Sequence, residues 1–205
     1  MSNSTTIKVW DLPVRIFHWS LVVLFFTSYV SGEELETLHV WTGYGVAALV
    51  VFRIFWGLAG SQYARFSNFI YSPAEIIGYL KSMLTKTPKH YLGHNPAGGV
   101  MVMLLLVSLV VTCWSGLEAY AVEGHGPLAN AQVTVISNAY ADDDGDEHEH
   151  RGEGEGDEFW EEIHEFAANF TLFLVFVHIA GVVVASRLHG ENLVRAMFTG
   201  NKQNG

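Results

Sequence analysis

Cysteine, charge and basic residues are all scarce in this sequence. Its 205 residues include one cysteine, Cys113, which excludes an internal disulfide and any zinc or iron–sulfur site held by several thiolates. Charged residues make up 16% of the chain and hydrophobic residues 50%. An average soluble domain, by comparison, is about 25% charged. This composition argues against a water-soluble globular enzyme.

Basic residues are about half as numerous as acidic ones. The 11 lysines and arginines and the 21 aspartates and glutamates give a formal net charge of −10. Binding to nucleic acid depends on lysine and arginine side chains that neutralise phosphates, and this chain has few of them. We therefore expect no nucleic-acid partner.

The hydrophobic residues are concentrated in four long runs that contain almost no charge. A helix needs about 20 apolar residues to cross the ~30 Å hydrocarbon core of a bilayer. The runs predict transmembrane helices at about residues 14–30, 38–58, 98–117 and 163–188. We expect an all-α, integral-membrane four-helix bundle in the lipid bilayer, forming one domain over residues 1–205.

The lysines and arginines lie almost entirely on one side of the predicted spans. Ten of the eleven lie near span ends or loops that face the same side, and only Arg151 lies on the other. Basic residues are enriched in cytoplasmic segments. We therefore expect both termini in the cytoplasm of a multi-pass protein of the bacterial inner membrane. The formal charge is then +7 inside and −17 outside.

Four histidines lie within the predicted spans or at their ends. Side chains that can bind a ligand are rare inside a membrane and are functional candidates there. His18 lies one turn into span one and His178 near the end of span four, both toward the cytoplasm. His39 and His164 open spans two and four at the outer surface. The four histidines thus form two layers, each drawn from two different helices.

The spacing in span four supports this arrangement. His164 and His178 are 14 residues apart, which is about 21 Å of rise and about 40° of rotation, so one helix face presents an imidazole to each leaflet. Two imidazoles from facing helices suit the axial positions of a haem iron in a helix bundle. We therefore predict two b-type haems, close enough for electron transfer across the bilayer. The inner iron is bound by His18 and His178, and the outer iron by His39 and His164.

Two further interpretations of these histidines compete with haem. A histidine in a span is often a hydrogen-bonded core residue, although four at matched depths make this explanation weak. The second interpretation is a non-haem zinc or iron site. Two histidines per layer, without a nearby intramembrane carboxylate or thiolate, make a poor ligand set for it.

Several segments of the chain match a known family. They are WDLPVRIFHW at Trp10–Trp19, LHVWTGY at Leu38–Tyr44, YLGHNPAGG at Tyr91–Gly99, and the two histidines of span four. Together they resemble the bacterial cytochrome b561 and nickel–iron hydrogenase b-type cytochrome family of inner-membrane four-helix haem proteins. The resemblance covers the chain except for about residues 124–157. It implies that the four span histidines are the axial ligands of two haems.

The resemblance implies several classes of function. Di-haem members are electron carriers between the quinone pool and a periplasmic electron-transfer protein, here expected to be a basic one such as a c-type cytochrome. Some members resemble superoxide oxidases that reduce ubiquinone, although an outer charge of −17 would repel superoxide. Others are the haem subunit of a nickel–iron hydrogenase or another periplasmic dehydrogenase. We favour the electron carrier, and whether the chain is itself an enzyme stays open.

Three further residues are candidates for contacts with haem propionates or with a quinone. Arg15 and Arg53 lie near the cytoplasmic layer, where a guanidinium suits a carboxylate. Topology signalling accounts for the two arginines equally well. His94, in the segment GHNP, is a candidate for a propionate or a quinone carbonyl. A cap or loop contact before the helix that begins near Pro96 is the alternative.

The cytoplasmic segment between spans two and three contains an amphipathic stretch at residues 71–84. Pro73 suits a first helical turn, and the isoleucines and leucines that follow it form one apolar stripe. This pattern predicts a helix that lies on the inner leaflet.

The outer segment at residues 118–162 is strongly acidic and is predicted to be a long periplasmic loop. Its centre, Asp142–Glu158, has the sequence DDDGDEHEHRGEGEGDE. One interpretation is a flexible, solvated loop. Another is a docking surface for a basic periplasmic partner, because opposite charge steers encounter. A third, which we consider weak, is a divalent-cation site that includes His148 and His150.

Overall fold

The chain is mostly helical. The structure, a computed structural model, describes residues 6–32, 34–85, 89, 91–129 and 152–203. The helices within these residues are α1 (Leu12–Ser31), α2 (Glu36–Ala59), α3 (Pro73–Leu84), α4 (Pro96–Val122), α5 (Gly152–His189) and α6 (Leu193–Thr199). A 3-10 turn occupies Phe66–Asn68, and two short strands are β1 (Thr6–Lys8) and β2 (Asn201–Gln203).

Four stretches of helix are long and apolar enough to cross a membrane, which confirms the four predicted spans. Within the described ranges they are Leu12–Ser31, Glu36–Ala59, Pro96–Val122 and Glu158–His189. Each carries large apolar side chains that are exposed, such as Val23, Val51, Val107 and Phe173. Exposure on this scale suits helices surrounded by lipid rather than by water.

Helix occupies more of the acidic segment at residues 118–162 than the sequence predicts. α4 continues to Val122 and α5 begins at Gly152, so both ends of the predicted loop at residues 118–162 are helical. Hydrophobicity marks the part of a helix inside the hydrocarbon, and backbone hydrogen bonds continue beyond it into polar sequence. The middle of the segment, residues 130–151, lies outside the described residues.

The chain divides into two compact units. The first contains residues 1–106 and 173–205, and the second contains residues 107–172. In the first unit α1 packs against α2, and β1 pairs with β2 in antiparallel register with Ile7 opposite Lys202. In the second unit the hydroxyl oxygens of Thr112 on α4 and Thr171 on α5 lie 3.3 Å apart.

Asp11 fixes the beginning of α1. One oxygen of its carboxylate accepts a hydrogen bond from the backbone N–H of Val14 at 2.8 Å, as an N-cap does, and Pro13 lies in the first turn. The other oxygen accepts from the indole N–H of Trp56 on α2 at 3.0 Å. One side chain therefore starts α1 and ties it to α2.

The two ends of the described chain meet around a small hydrophobic core. Its buried members are Val9, Trp10, Val14, Ala64 and Ala196. The backbone N–H groups of Val9 and Trp10 both donate to the carbonyl of Gly200, at 2.8 and 3.0 Å. Gly200 has a φ of 86°, a conformation that favours glycine. These contacts fix the C-terminal strand beside the start of α1.

Helix α3 confirms the helix predicted within residues 71–84, and its position on the inner leaflet stays a prediction. The Ser72 hydroxyl accepts from the backbone N–H of Glu75 at 3.3 Å, and the Glu75 carboxylate accepts from the N–H of Ser72 at 3.1 Å. This reciprocal pair is a capping box. Ile77 and Leu80 are exposed on α3. Exposed apolar side chains are expected of an amphipathic helix whose apolar face contacts lipid.

Candidate functional site

The structure brings His18 and His178 together within the first unit. His18 lies on α1 and His178 on α5, and their ring centroids are 6.5 Å apart with the planes tilted by 54°. Two imidazoles that bind one metal ion from opposite sides need centroids about 6 Å apart, from bonds of about 2 Å and half a ring on each side. The observed separation therefore fits a single iron between the two rings.

His18 also has an unsatisfied polar atom. Its Nδ1 is buried and has no hydrogen-bond partner among the described residues. The edge of its ring packs against the neighbouring Trp19, with centroids 5.0 Å apart and planes 86° apart. A buried ring nitrogen without a hydrogen-bond partner is costly unless a ligand binds to it.

His39, at the start of α2, is oriented by α1. Its Nδ1 lies 2.8 Å from the backbone carbonyl oxygen of Ser28, and the Ser28 hydroxyl lies 3.4 Å from the same nitrogen. An Nδ1–H that donates to a carbonyl leaves the lone pair on Nε2, which is the common arrangement of a metal-binding histidine.

His164 has a matching arrangement within the second unit. Its Nδ1 lies 2.9 Å from the backbone carbonyl oxygen of Thr112 on α4. The ring also lies directly over Gly116, because a Cβ built at that glycine would be 2.7 Å from Cε1 of His164. A larger residue at position 116 would therefore force the His164 ring to shift from this place.

The predicted ligands of the inner haem, His18 and His178, are therefore adjacent. The predicted ligands of the outer haem belong to different units. His39 belongs to the first unit and His164 to the second. Their pairing around one iron stays a prediction. Within the described ranges, no group of three histidine, cysteine, aspartate or glutamate side chains forms a cluster that would hold a metal ion. Haem needs only two protein ligands, so these histidines fit haem better than a non-haem site.

Arg53 is a buried arginine in the first unit. It is 5% exposed, and its Cζ lies 5.0 Å from the ring centroid of Phe66 and 5.9 Å from that of Phe69. Its Nη1 has no hydrogen-bond partner in the described part of the chain. A buried guanidinium requires an anion or further acceptors to offset the loss of hydration.

The imidazole of the half-buried His94 packs against two aromatic rings. Its ring centroid lies 4.6 Å from that of Trp10 and 4.5 Å from that of Phe69. Burial lowers the pKa of His94 to about 3, and neighbouring positive charges add to the effect. Those charges belong to Arg53, Lys202 and His178. Like Arg53, His94 has a buried nitrogen, Nδ1, without a hydrogen-bond partner among the described residues.

The sequence also allows His94 a cap or loop contact before α4. In the structure Asn95 caps the helix, and the backbone of His94 makes the loop contact. The N-cap of α4 is Asn95, whose side-chain oxygen accepts from the N–H of Gly98 at 2.7 Å. The contact of His94 with the preceding loop is through its backbone, since its carbonyl accepts from the Tyr71 hydroxyl at 2.9 Å. Neither contact uses the imidazole of His94.

Arg15 is engaged with the C-terminal end of α6. Its Nε donates to the carbonyl of Met197 at 3.3 Å, and its terminal nitrogen Nη2 donates to the carbonyl of Phe198. Carbonyls at a helix C-terminus carry partial negative charge, which a guanidinium stabilises. Arg15 therefore has hydrogen-bond partners at the end of α6, whereas Nη1 of Arg53 has none among the described residues.

Two buried ionisable groups escape prediction from the sequence. Glu118, counted among the acids of the outer loop, lies on α4 and is 3% exposed, and its Oε1 has no partner among the described residues. The one sequence signal for its burial is its closeness to the end of a hydrophobic run. Lys202 is 8% exposed, with Nζ 3.6 Å from the Glu191 carboxylate. Nothing in the tail sequence indicates that pair.

Comparison with known proteins places the chain in a family. Residues 9–200 match the model of the prokaryotic cytochrome b561 family. A "Probable Ni/Fe-hydrogenase B-type cytochrome subunit" of Azotobacter vinelandii is 32% identical over 154 residues, 60% of this chain and 63% of the relative. Its namesake in Bradyrhizobium diazoefficiens is 28% identical over 154 residues, 59% of this chain and 60% of the relative.

A third relative extends this set to another bacterium. The "Probable Ni/Fe-hydrogenase 1 B-type cytochrome subunit" of Escherichia coli K12 is 29% identical over 142 residues, 54% of this chain and 60% of the relative. The matches thus cover about three fifths of these relatives. No solved structure matches the chain significantly. The family match confirms the resemblance seen in the sequence, and the chain belongs to the prokaryotic cytochrome b561 family of haem-binding, electron-transporting membrane proteins.

Proposed function

We propose that this protein is a di-haem b-type cytochrome that transfers electrons across the bacterial inner membrane, between the quinone pool and a periplasmic redox partner. Haem b is the cofactor that the family implies. The observation that carries the proposal is the approach of His18 and His178 to 6.5 Å between ring centroids. These two side chains are the axial ligands of the inner haem.

His39 and His164 are the axial ligands of the outer haem in this proposal. Support comes from the carbonyl that each Nδ1 faces, of Ser28 and of Thr112, at 2.8 and 2.9 Å. Each contact fixes the tautomer that leaves Nε2 for iron and holds the ring at one angle. Bound haem would supply reversible one-electron chemistry, while the chain holds the imidazoles in place.

The orientation follows from the distribution of charge in the sequence. Both termini and α3 lie in or on the cytoplasmic side, and the acidic segment at residues 118–162 lies in the periplasm. A face with a formal charge of −17 would attract a basic electron-transfer protein such as a c-type cytochrome. The quinone is the partner expected within the membrane.

A nickel–iron hydrogenase is the second candidate partner. The observation that favours it is the name of the relatives, which describes a B-type cytochrome subunit of a Ni/Fe-hydrogenase. In that case the electrons would enter at the outer haem and leave to the quinone. The functions of a superoxide oxidase and of the haem subunit of another periplasmic dehydrogenase stay open as less favoured hypotheses.

Vesicles containing the purified protein test transmembrane electron transfer directly. An impermeant reductant is sealed inside and an impermeant acceptor is added outside, and reduction of the acceptor is followed by absorbance. The proposal predicts transfer by the wild type and a loss of at least about 90% in both His178→Ala and His39→Ala. His125→Ala, which changes an exposed loop histidine, is the matched control and should transfer normally. Full activity in either ligand variant would contradict the proposal.

A further inference from the structure

Two unsatisfied donors lie against one ring in the first unit. The Cζ of Arg53 is 5.9 Å from the ring centroid of Phe69, and the His94 ring centroid is 4.5 Å from the same point. Arg53 Nη1 and His94 Nδ1 are both buried and without a hydrogen-bond partner among the described residues. Unpaired buried groups of this kind are uncommon and require an explanation. A ligand with two hydrogen-bond acceptors would satisfy both.

The nearby acid of the chain does not supply those acceptors. The Asp11 carboxylate interacts electrostatically with Arg53. However, its two oxygens accept hydrogen bonds from the N–H of Val14 and from the indole of Trp56, at 2.8 and 3.0 Å. Asp11 thus offsets part of the buried charge without completing the guanidinium. The complementary ligand is an anion with carboxylate or phosphate oxygens.

One of these donors, His94, interacts electrostatically with a predicted ligand of the inner haem. The positive charges that act on His94 include those of Arg53 and His178, and His178 in turn faces His18. A haem held by that histidine pair carries two carboxylates, its propionates, on one edge of the macrocycle. Both donors and both ligands belong to the first unit.

We propose that Arg53 and His94 bind the propionate carboxylates of the haem held between His18 and His178. Arg53 donates through Nη1, and His94 donates through the N–H of its neutral imidazole. Arg15 is not part of this set, because its guanidinium already donates to the carbonyls of Met197 and Phe198. The inference deepens the proposed function and rests on haem binding by the two histidines.

A haem without free carboxylates provides the test. Full-length protein produced without haem is reconstituted with haem b or with its dimethyl ester, which keeps the iron and ring but lacks both carboxylates. The amounts bound at the inner site are compared by absorbance. We expect the affinity of the wild type for haem b to exceed that for the ester by at least about tenfold. This is the affinity that one charge-assisted hydrogen bond contributes.

Variants of Arg53 and His94 test whether these two donors cause the preference for haem b over its ester. Arg53→Gln and His94→Phe should each reduce the preference for haem b, and Arg53→Lys should keep part of it because the charge remains. Removing the positive charge should also lower the midpoint potential of the inner haem, since a cation near the haem favours its reduced state. Arg65→Gln removes an exposed arginine and is the matched control, with wild-type preference and potential.

The outcomes separate this inference from the proposed function. Wild-type protein that binds both haems equally well would overturn the inference while leaving haem binding intact, and this comparison requires no variant to fold. A preference in the wild type that persists in Arg53→Gln and His94→Phe would overturn it as well. If Arg53 instead retained a phospholipid phosphate, Arg53→Gln would lose bound lipid without a change in haem preference. Failure to bind either haem at His18 and His178 would contradict the proposed function itself.

Discussion

The imidazole rings of His18 and His178 face each other with centroids 6.5 Å apart, although 160 residues separate them in the sequence. His18 lies on the first long helix and His178 on the last. A separation of this size leaves room for one metal ion between the rings and fits the axial ligands of a haem. The proposed cytochrome function depends on this pair more than on any other contact.

Replacing an axial histidine by methionine should change the potential of one haem. In His178→Met the inner iron would be bound by histidine and methionine, and that ligand set raises the midpoint potential above that of two histidines. The rise should be a measurable part of the ~0.8 V range that axial ligands span. A redox titration followed by absorbance should show one component shifted and the other unchanged.

His125→Met is the matched control for that titration, since His125 lies in an exposed loop. It should leave both components unchanged. If His178→Met also left both potentials at their wild-type values, His178 would not be an axial ligand.

Gly116 should be intolerant of any side chain. A Cβ at position 116 would lie 2.7 Å from Cε1 of His164, so the imidazole would have to move. Overpacking of this kind costs about 1–3 kcal/mol. Gly116→Ala should therefore lose most of the outer haem and retain the inner one, as measured by haem content and the two redox components.

Gly181→Ala provides the comparison on another helix. Within the described residues, no atom lies within 4 Å of a Cβ built at Gly181. This variant should keep both haems, because alanine favours helix more than glycine does. Equal haem content in Gly116→Ala and Gly181→Ala would show that the position of the His164 ring is unimportant for haem binding.

Because of His94, the haem-free protein should be less stable at acid pH than at neutral pH. Its pKa is lowered from 6.5 to about 3 in the folded state, so between these values the unfolded chain binds the proton and the folded chain does not. The free energy of unfolding should be highest above about pH 6.5 and should fall as the pH decreases toward 3. Each pH unit in this window is worth about 1.4 kcal/mol at most.

Chemical denaturation of wild type and His94→Gln in detergent isolates this contribution. The variant lacks the titrating imidazole, so its stability should depend less on pH between 6.5 and 3 than that of the wild type. If stability depended on pH equally in the two proteins, His94 would take up its proton at the same pH in the folded and the unfolded chain.

Neutralising the acidic segment should affect docking and leave haem binding unchanged. Replacing the acids of Asp142–Glu158 by asparagine and glutamine removes charge that steers a basic partner. Electron transfer to a basic c-type cytochrome should become slower and less dependent on salt. Unchanged rates at all salt concentrations would exclude this segment as the docking surface.

The long apolar helices could be predicted from the sequence alone. A hydrophobic run long enough to span a bilayer is a local property, and so is the 14-residue spacing of His164 and His178. Within the described residues, the structure has four helices long and apolar enough to cross a bilayer, and each extends beyond its predicted bounds. The depth of a histidine within a span follows from the same count of residues, and this count places His18 in the same layer as His178.

Contacts between distant segments could not be predicted in this way. The ladder of β1 and β2 and the pairing of Lys202 with Glu191 join segments whose short polar sequences carry no hydrophobic period. Arg15 and Arg53 look equivalent in the sequence. In the structure, carbonyls from α6 satisfy Arg15, whereas Arg53 retains an unpaired nitrogen among the described residues. That difference arises only from tertiary packing.

The haem content of purified protein tests the central claim most directly. Wild type, His178→Ala and His39→Ala are compared by haem assay and by redox titration of the low-spin b bands. The account predicts two haems per chain in the wild type and one in each variant, with a different redox component missing from each. One haem or none in the wild type, or loss of the same component from both variants, would contradict the two-haem arrangement and the transmembrane electron transfer that depends on it.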